Sequence, residues 1–248
     1  MDPALLDTER IPAHIAVIMD GNGRWAVEHN KRRAAGHKAG IKGVRELIRT
    51  CSDIGIDYLT IYSFSTENWS RPRAEVKGLM ELFASTMAAE LAAMHDEGVR
   101  IRIIGDVTEL PKRTREIFQG AVDQTSGNKG MTLVIAVNYG SRLEIVQAAR
   151  TLATLALRGE LTAEQLSALD ESSFADYLET SGIPDPDLLI RTSGEYRLSN
   201  FLLYQSAYSE LYITQILWPD FDRFELLRAL LDYQLRKRRF GNVGSSDD

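Results

Sequence analysis

Apolar residues follow two rhythms along this chain. Short runs of β-branched and apolar side chains, at 15–19, 58–64, 100–104, 131–137 and 188–190 and in the region 208–217, predict six strands. Between them the spacing changes to three and four. Ile41, Val44, Leu47, Ile48 and Cys51 predict an amphipathic helix over 39–53, stopped by Gly55. Val76, Leu79, Met80, Phe83, Met87, Leu91 and Met94 predict another over 74–97, stopped by Gly98. Leu82 and several alanines widen its stripe toward a second apolar face, as a hydrocarbon channel would require. Further helices are predicted at 110–125, 142–157, 162–169, 173–180 and 223–237, with Pro111 near one start and Thr162 and Ser172 or Ser173 as N-caps. Residues 25–40, rich in charge and glycine, read as a loop in their early part.

Strand alternating with helix, with no repeat and no break in composition, predicts one α/β domain over 1–243 and a disordered tail at 244–248. Its core would be a mostly parallel six-stranded sheet flanked by helices. In such sheets ligands bind outside the carboxyl ends of the strands. The polar clusters of this chain fall there.

Composition narrows the function. A chain of 248 residues can bury a large core without disulfides, and the single Cys51 excludes an intrachain disulfide or a Cys-pair zinc site. The lone cysteine is consistent with a cytoplasmic location. The start of the sequence has no signal-peptide pattern, and no stretch is apolar for long enough to span a membrane. A net charge of −6 argues against a nucleic-acid partner.

The candidate chemistry begins at the end of the first strand. Asp20 precedes Gly21-Asn22-Gly23-Arg24-Trp25-Ala26, a match to the dinucleotide fingerprint. That fingerprint also needs an acid about twenty residues on, at the end of the second strand. Here the second strand ends some forty residues on, and Asp20 would repel a pyrophosphate unless a cation neutralised it. Arg24, Arg33, Arg71, Arg191 and Arg197 lie at strand ends or just beyond, where guanidinium forks suit phosphate oxygens. His37 shares the same basic segment and could donate to a phosphate or move a proton. Asp20 and Glu210 are candidate oxygen ligands for Mg²⁺. Glu67 could orient its loop or cap the following helix. Trp25, Trp69, Tyr62 and Phe64 could line the mouth of an apolar channel, and Ser63 would leave room inside it.

Five ordered motifs carry a resemblance over about residues 11–243: His14 to Ala26; Phe64-Ser65-Thr66-Glu67-Asn68-Trp69-Ser70-Arg71-Pro72; Asn138-Tyr139-Gly140; Asp187 to Leu202; and Glu210-Leu211-Tyr212 with Trp218-Pro219-Asp220-Phe221. The sequence resembles the cis-prenyltransferase family, in particular the bacterial undecaprenyl pyrophosphate synthases, or isoprenyl transferases. The resemblance implies an apolar tunnel for the prenyl chain, Mg²⁺ as cofactor and a homodimer. It implies cis addition of isopentenyl diphosphate to an allylic diphosphate such as farnesyl diphosphate. The expected product is a long polyprenyl diphosphate of the undecaprenyl kind, a lipid carrier for cell-wall synthesis, delivered to the membrane with peripheral contact.

Carried over by matching position, Asp20 is the essential carboxylate for Mg²⁺ and diphosphate, with Glu210 helping to place the metal. Gly21, Asn22, Gly23, Arg24 and Trp25, with Arg33 and His37, would serve the allylic diphosphate. Arg191, Arg197 and Ser199 would hold isopentenyl diphosphate. Ser65, Thr66, Glu67, Asn68, Trp69 and Arg71 belong to a mobile substrate-binding loop, in which Asn68 joins Asp20 as a catalytic candidate. The leaving pyrophosphate, Asn68 and His37 all remain open as proton acceptor. Arg239-Phe240-Gly241 fits a pattern that reaches the partner subunit's site. Ser193 and Thr66 depart from the pattern, standing where related sequences often carry Gly and Ser. A dinucleotide oxidoreductase is disfavoured by the missing second acid, and a non-catalytic subunit by the presence of Asp20 and the arginines.

Overall fold

The computed structural model describes residues 6–236. Its strands are β1 (His14–Ile18), β2 (Tyr58–Ser65), β3 (Arg100–Ile104), β4 (Thr132–Tyr139), β5 (Leu188–Arg191) and β6 (Glu210–Ile213). Its helices are α1 (Asn22–Glu28), α2 (Arg33–Ile54), α3 (Arg73–Asp96), α4 (Lys112–Thr125), α5 (Ser141–Leu157), α6 (Ala163–Ser167), α7 (Glu171–Ala175) and α8 (Arg223–Leu235). The strands form one sheet in the order β3-β4-β2-β1-β5-β6, with every pairing parallel. The predicted α/β architecture therefore holds. The boundary proposed at 243/244 and the segment Arg239–Gly241 lie outside the described residues.

All five residues of β1 are buried, which is why that stretch reads as unbroken apolar sequence. Ile15 pairs with Leu59 on one side and Leu188 on the other. The chain runs outward from β1 through β2 toward β3 and β4, then returns to place β5 on the other flank. The strand order thus reverses beside β1, and a crevice opens at its carboxyl end. Asp20 stands two residues past that end.

Several elements differ from the sequence-based expectation. The glycine-rich segment is helical almost throughout, as α1 and then α2. Gly21, with φ 107°, makes the turn into α1. Gly36 and Gly40 let α2 approach closely. A Cβ at Gly36 would stand 1.9 Å from the Asn22 carbonyl oxygen, and one at Gly40 2.8 Å from the Trp218 ring. These glycines are packing devices rather than helix breakers. The last strand is only the four residues of β6. The helices predicted at 162–169 and 173–180 shrink to α6 and α7, each begun by a capping box, at Thr162 and Asp170.

Candidate functional site

The geometry is built outward from Asp20. Its Oδ1 accepts the Gly21 N–H at 2.7 Å, while its backbone oxygen takes Thr192 Oγ1 at 2.6 Å and the Trp218 N–H at 3.0 Å. Arg191 is the last residue of β5, the strand beside β1, so register alone brings its guanidinium to this turn. Arg191 Nη2 donates to Asp20 Oδ2 at 2.9 Å, and its Nη1 donates to Ser199 Oγ at 2.7 Å. Arg24, in the first turn of α1, adds a contact of 3.2 Å to the same Oδ2. Burial works against the Asp20 charge, but the Arg191 hydrogen bond and the Arg191 and Arg24 charges outweigh it and hold the carboxyl below its ordinary range. Glu195 bridges Arg24, at 3.1 Å, and Arg197; the Arg197 hydrogen bond and charge lower its pKa.

A second cluster faces this one. Glu75, in the first turn of α3, stands 3.3 Å from Arg71, 3.8 Å from His37 and 3.9 Å from Arg33. Burial, then the Arg71 charge, depresses the His37 pKa against the pull of Glu75, favouring a neutral imidazole. Arg191 Nε and His37 Nε2 are buried without a hydrogen-bond partner among the described residues. Unsatisfied buried nitrogens within both clusters suit an oxygen-rich anion such as a diphosphate.

Both clusters open into one cavity of about 930 Å³. Asp20, Gly21, Asn22, Gly23, Arg33, His37, Ser65, Glu67, Asn68, Arg71, Arg191, Arg197 and Ser199 line it at the polar end. Beyond them the lining turns apolar, with Ile41, Val44, Ile61, Phe83, Met87, Phe118, Leu133 and Ile135. A register shift in β2 between Tyr62 and Phe64 leaves Ser63 among the lining residues, beside Phe64. The wide stripe of α3 forms part of the wall.

Other sequence candidates lie elsewhere. Arg24 reaches Asp20 but does not line the cavity. Trp25 stacks on His29 at 4.0 Å and donates to Asp220 at 2.8 Å, outside the lining. The segment expected to be a mobile loop contains a turn of 3-10 helix, Thr66–Ser70. Three contacts hold it: the Ser65 N–H donates to Asn68 Oδ1, Trp69 Nε1 to Asn138 Oδ1, and Asn200 Nδ2 to Glu67 Oε1. Trp69 and Thr66 are therefore structural neighbours of the site rather than lining residues.

Glu210 stands apart from its expected metal partner, Asp20, within one chain. It opens β6, level with Leu188, and accepts from Arg236 at 2.8 Å. Parallel register puts it at the amino end of the strands, while Asp20 lies past their carboxyl end. Within one chain the two carboxylates do not meet. Among the described residues no three His, Cys, Asp or Glu side chains form a metal cluster. Asp20 alone fits a cation that takes its remaining ligands from a bound diphosphate and water, a common arrangement for Mg²⁺.

Sequence reasoning missed Glu75 and Asn200. The first had a readable signal, an acid four residues after Arg71 at a helix start. Asn200 had none, because its place depends on a loop of left-handed residues. Ser193, Ser199 and Asn200 have φ of 80°, 49° and 63°. Ser193 therefore occupies backbone that glycine adopts more easily, which gives its departure from the expected glycine a physical meaning.

A family model described as "Putative undecaprenyl diphosphate synthase" matches residues 18–241. An isoprenyl transferase of Heliobacterium mobile is 50% identical over 238 residues, covering 96% of this chain and 90% of the relative. One of Geobacter sulfurreducens is 51% identical over 237 residues, covering 96% and 95%. Among solved structures, lavandulyl diphosphate synthase of Lavandula x intermedia, in complex with dimethylallyl diphosphate, superposes with a TM-score of 0.90 at 36% identity. That match covers 94% of this chain and 100% of the other. A probable undecaprenyl diphosphate synthase of Campylobacter jejuni gives 0.76 at 30% identity, covering 93% and 99%.

Proposed function

The chain belongs to the undecaprenyl diphosphate synthase family and is a prenyltransferase, and from that premise we propose that it adds isopentenyl diphosphate in cis to an allylic diphosphate, with farnesyl diphosphate as primer and a long polyprenyl diphosphate as product. One observation carries this reading: an acid and two sets of phosphate-binding groups stand at the polar end of a cavity whose lining beyond them is mostly apolar. Arg33, His37 and the Gly21–Gly23 turn hold the allylic diphosphate. Arg191, Arg197 and Ser199 hold the isopentenyl diphosphate. Asp20 lies between these groups and would hold Mg²⁺ together with a substrate diphosphate. The metal, when bound, supplies positive charge to a departing pyrophosphate.

The chain's own residues do the rest. The arginines stabilise negative charge developing on the leaving group, in a site fixed by backbone contacts to Asp20. The two substrate pockets fix the double bond of one substrate against the allylic carbon of the other. The new carbon–carbon bond forms as the allylic carbon–oxygen bond breaks, and a proton then leaves. His37, held toward its neutral form, is a candidate acceptor beside Asn68 and the pyrophosphate. The apolar cavity receives the growing chain and excludes water from it.

We further propose a homodimer. β6 is an edge strand that exposes Leu211 and follows an exposed Tyr208, a surface suited to burial against a second copy. We propose that delivery of the product uses peripheral membrane contact; no helix among the described residues is long and apolar enough to cross a membrane.

A second reading has one observation in its favour, the closer superposition on lavandulyl diphosphate synthase: the product would be short. Incubation with labelled isopentenyl diphosphate, farnesyl diphosphate and Mg²⁺ separates the two by product mass. Long products support elongation, short products support the second reading, and no incorporation refutes both.

A further inference from the structure

One wall of the cavity is formed by two helices rather than by the sheet. Along it α2 contributes Arg45 and Arg49, and α3 contributes Glu90 and Ala93, with Glu97 just past its end, to the same lining as Ile48 and Met94. Charged side chains do not line a dry apolar space unless they reach water. These do: the Arg45 side chain is 55% exposed and that of Glu90 26%. The cavity therefore meets solvent sideways, between α2 and α3, well away from Asp20. Arg45 Nη2 and Glu90 Oε1 are 2.6 Å apart and join the two helices across this slit.

We propose that the α2–α3 slit is a second opening, through which the apolar end of a lengthened chain emerges, and that the Arg45–Glu90 ion pair is the clasp that sets the rate of its release. This rests on the elongation reading above. A half-exposed ion pair is weakly held, so it closes the slit against water while the chain is short and yields to a chain end that presses between the helices. The diphosphate would occupy the polar end beside Asp20 and Arg191, so a tail that outgrows the cavity leaves between the helices. The ligand of the slit is thus a branched hydrocarbon tail, received next by detergent or a bilayer.

The test compares single-turnover elongation with steady-state turnover in Arg45→Glu, Glu90→Ala and the exchanged pair Arg45→Glu/Glu90→Arg. Neither side chain touches the diphosphate clusters, and both lie near the surface. Without detergent, each single variant should raise steady-state turnover by up to about fivefold, the factor an exposed ion pair can supply. The single-turnover rate of the first additions should stay unchanged. The exchanged pair should return turnover to the wild-type value. Nonionic detergent should raise wild-type turnover and leave the single variants little changed. Unchanged steady-state turnover in the single variants, an equal change in single-turnover rate, or failure of the exchanged pair to restore turnover would each overturn the clasp. Absence of elongation by the wild-type protein in a single turnover would instead refute the elongation reading itself.

Discussion

The two faces of the sheet are made by the same strands yet end in opposite states. Ile15 and Val17 of β1 and Leu133, Ile135 and Val137 of β4 belong to the core beneath α2, α3 and α4. Ala16, Ile18, Val134 and Ala136 belong to the core on the other side. The first face encloses the cavity. The second is filled by aromatic rings: Phe201 stacks on Tyr62 at 4.4 Å and meets Tyr139 edge-on at 6.3 Å. Behind them the Tyr139 hydroxyl donates to Glu144 at 2.6 Å, and Gln205 ties Glu144 to Thr180. Burial pushes the Glu144 pKa up, so these bonds matter for keeping that side chain inside. The difference teaches a division of labour. The filled face carries stability, which lets the other face remain hollow for a chain of changing length.

The sharpest break in this comparison is at the hollow face's polar end. Asp20→Ala should cut prenyl transfer by roughly 10²–10³-fold in a protein that still unfolds cooperatively, with a lowered urea midpoint because the buried Arg191 loses its ion-pair partner. Initial rates beside urea unfolding curves decide it, and loss of activity together with cooperative unfolding would make Asp20 a folding residue. The next largest effect lies on the filled face. Phe201→Ala should cost about 3–5 kcal/mol, since that ring is fully buried between two others. Phe83→Ala, whose ring borders the cavity, should cost about 1–2 kcal/mol, because part of its surface has no packing partner to lose. Equal losses at the two positions would show that the faces are packed alike.

The filled face also carries a pH signature. His14 is buried, with its ring nitrogens bonded at 2.7 Å to the Pro184 carbonyl and to Thr60 Oγ1. Burial lowers its pKa from 6.5 to about 4. Between those values the unfolded chain binds a proton that the native protein refuses, so stability rises with pH across that window. The contribution is complete above about pH 6.5 and is lost as pH falls toward 4, in total about 3 kcal/mol. Unfolding free energies of wild type and His14→Gln measured from pH 4 to 7 should differ in slope by close to one proton. Parallel curves would mean that His14 titrates in the fold as it does in the unfolded chain.

Much of this was legible in sequence because it depends on local pattern. The strands, the stripe of α3 and the arginines at strand ends follow from periodicity and from the rule that parallel sheets bind ligands at carboxyl ends. What was misread depended on distant partners. The glycines before residue 41 resembled a loop because their purpose, clearance for the Asn22 carbonyl and Trp218, lies in other elements. Glu210 was grouped with Asp20 on chemistry, but parallel register places a residue that opens a strand far from one that follows a strand. Glu75 escaped because its three partners, Arg33, His37 and Arg71, come from α2 and from the turn before α3. Nor does apolar alternation distinguish a filled face from a hollow one, since both show the same pattern on the strands.

The smallest stability effect bears directly on that last distinction. Ser63 of β2 borders the cavity, whereas Ala136 of β4 is fully buried on the filled face. Adding a leucine side chain at each asks whether space is available. Where atoms already touch, extra methylenes force neighbours off their rotamers at about 1–3 kcal/mol, so Ala136→Leu should destabilise by that amount and leave product length alone. In the cavity the new side chain displaces nothing, so Ser63→Leu should change stability by less than about 0.5 kcal/mol. It should shorten the products, because the added volume is taken from the chain's path. Mass analysis of products and urea midpoints on both variants give four numbers. Destabilisation by Ser63→Leu with unchanged product length would mean that β2 faces packed atoms there, and the hollow face would have to be redrawn deeper, toward Leu133 and Phe118.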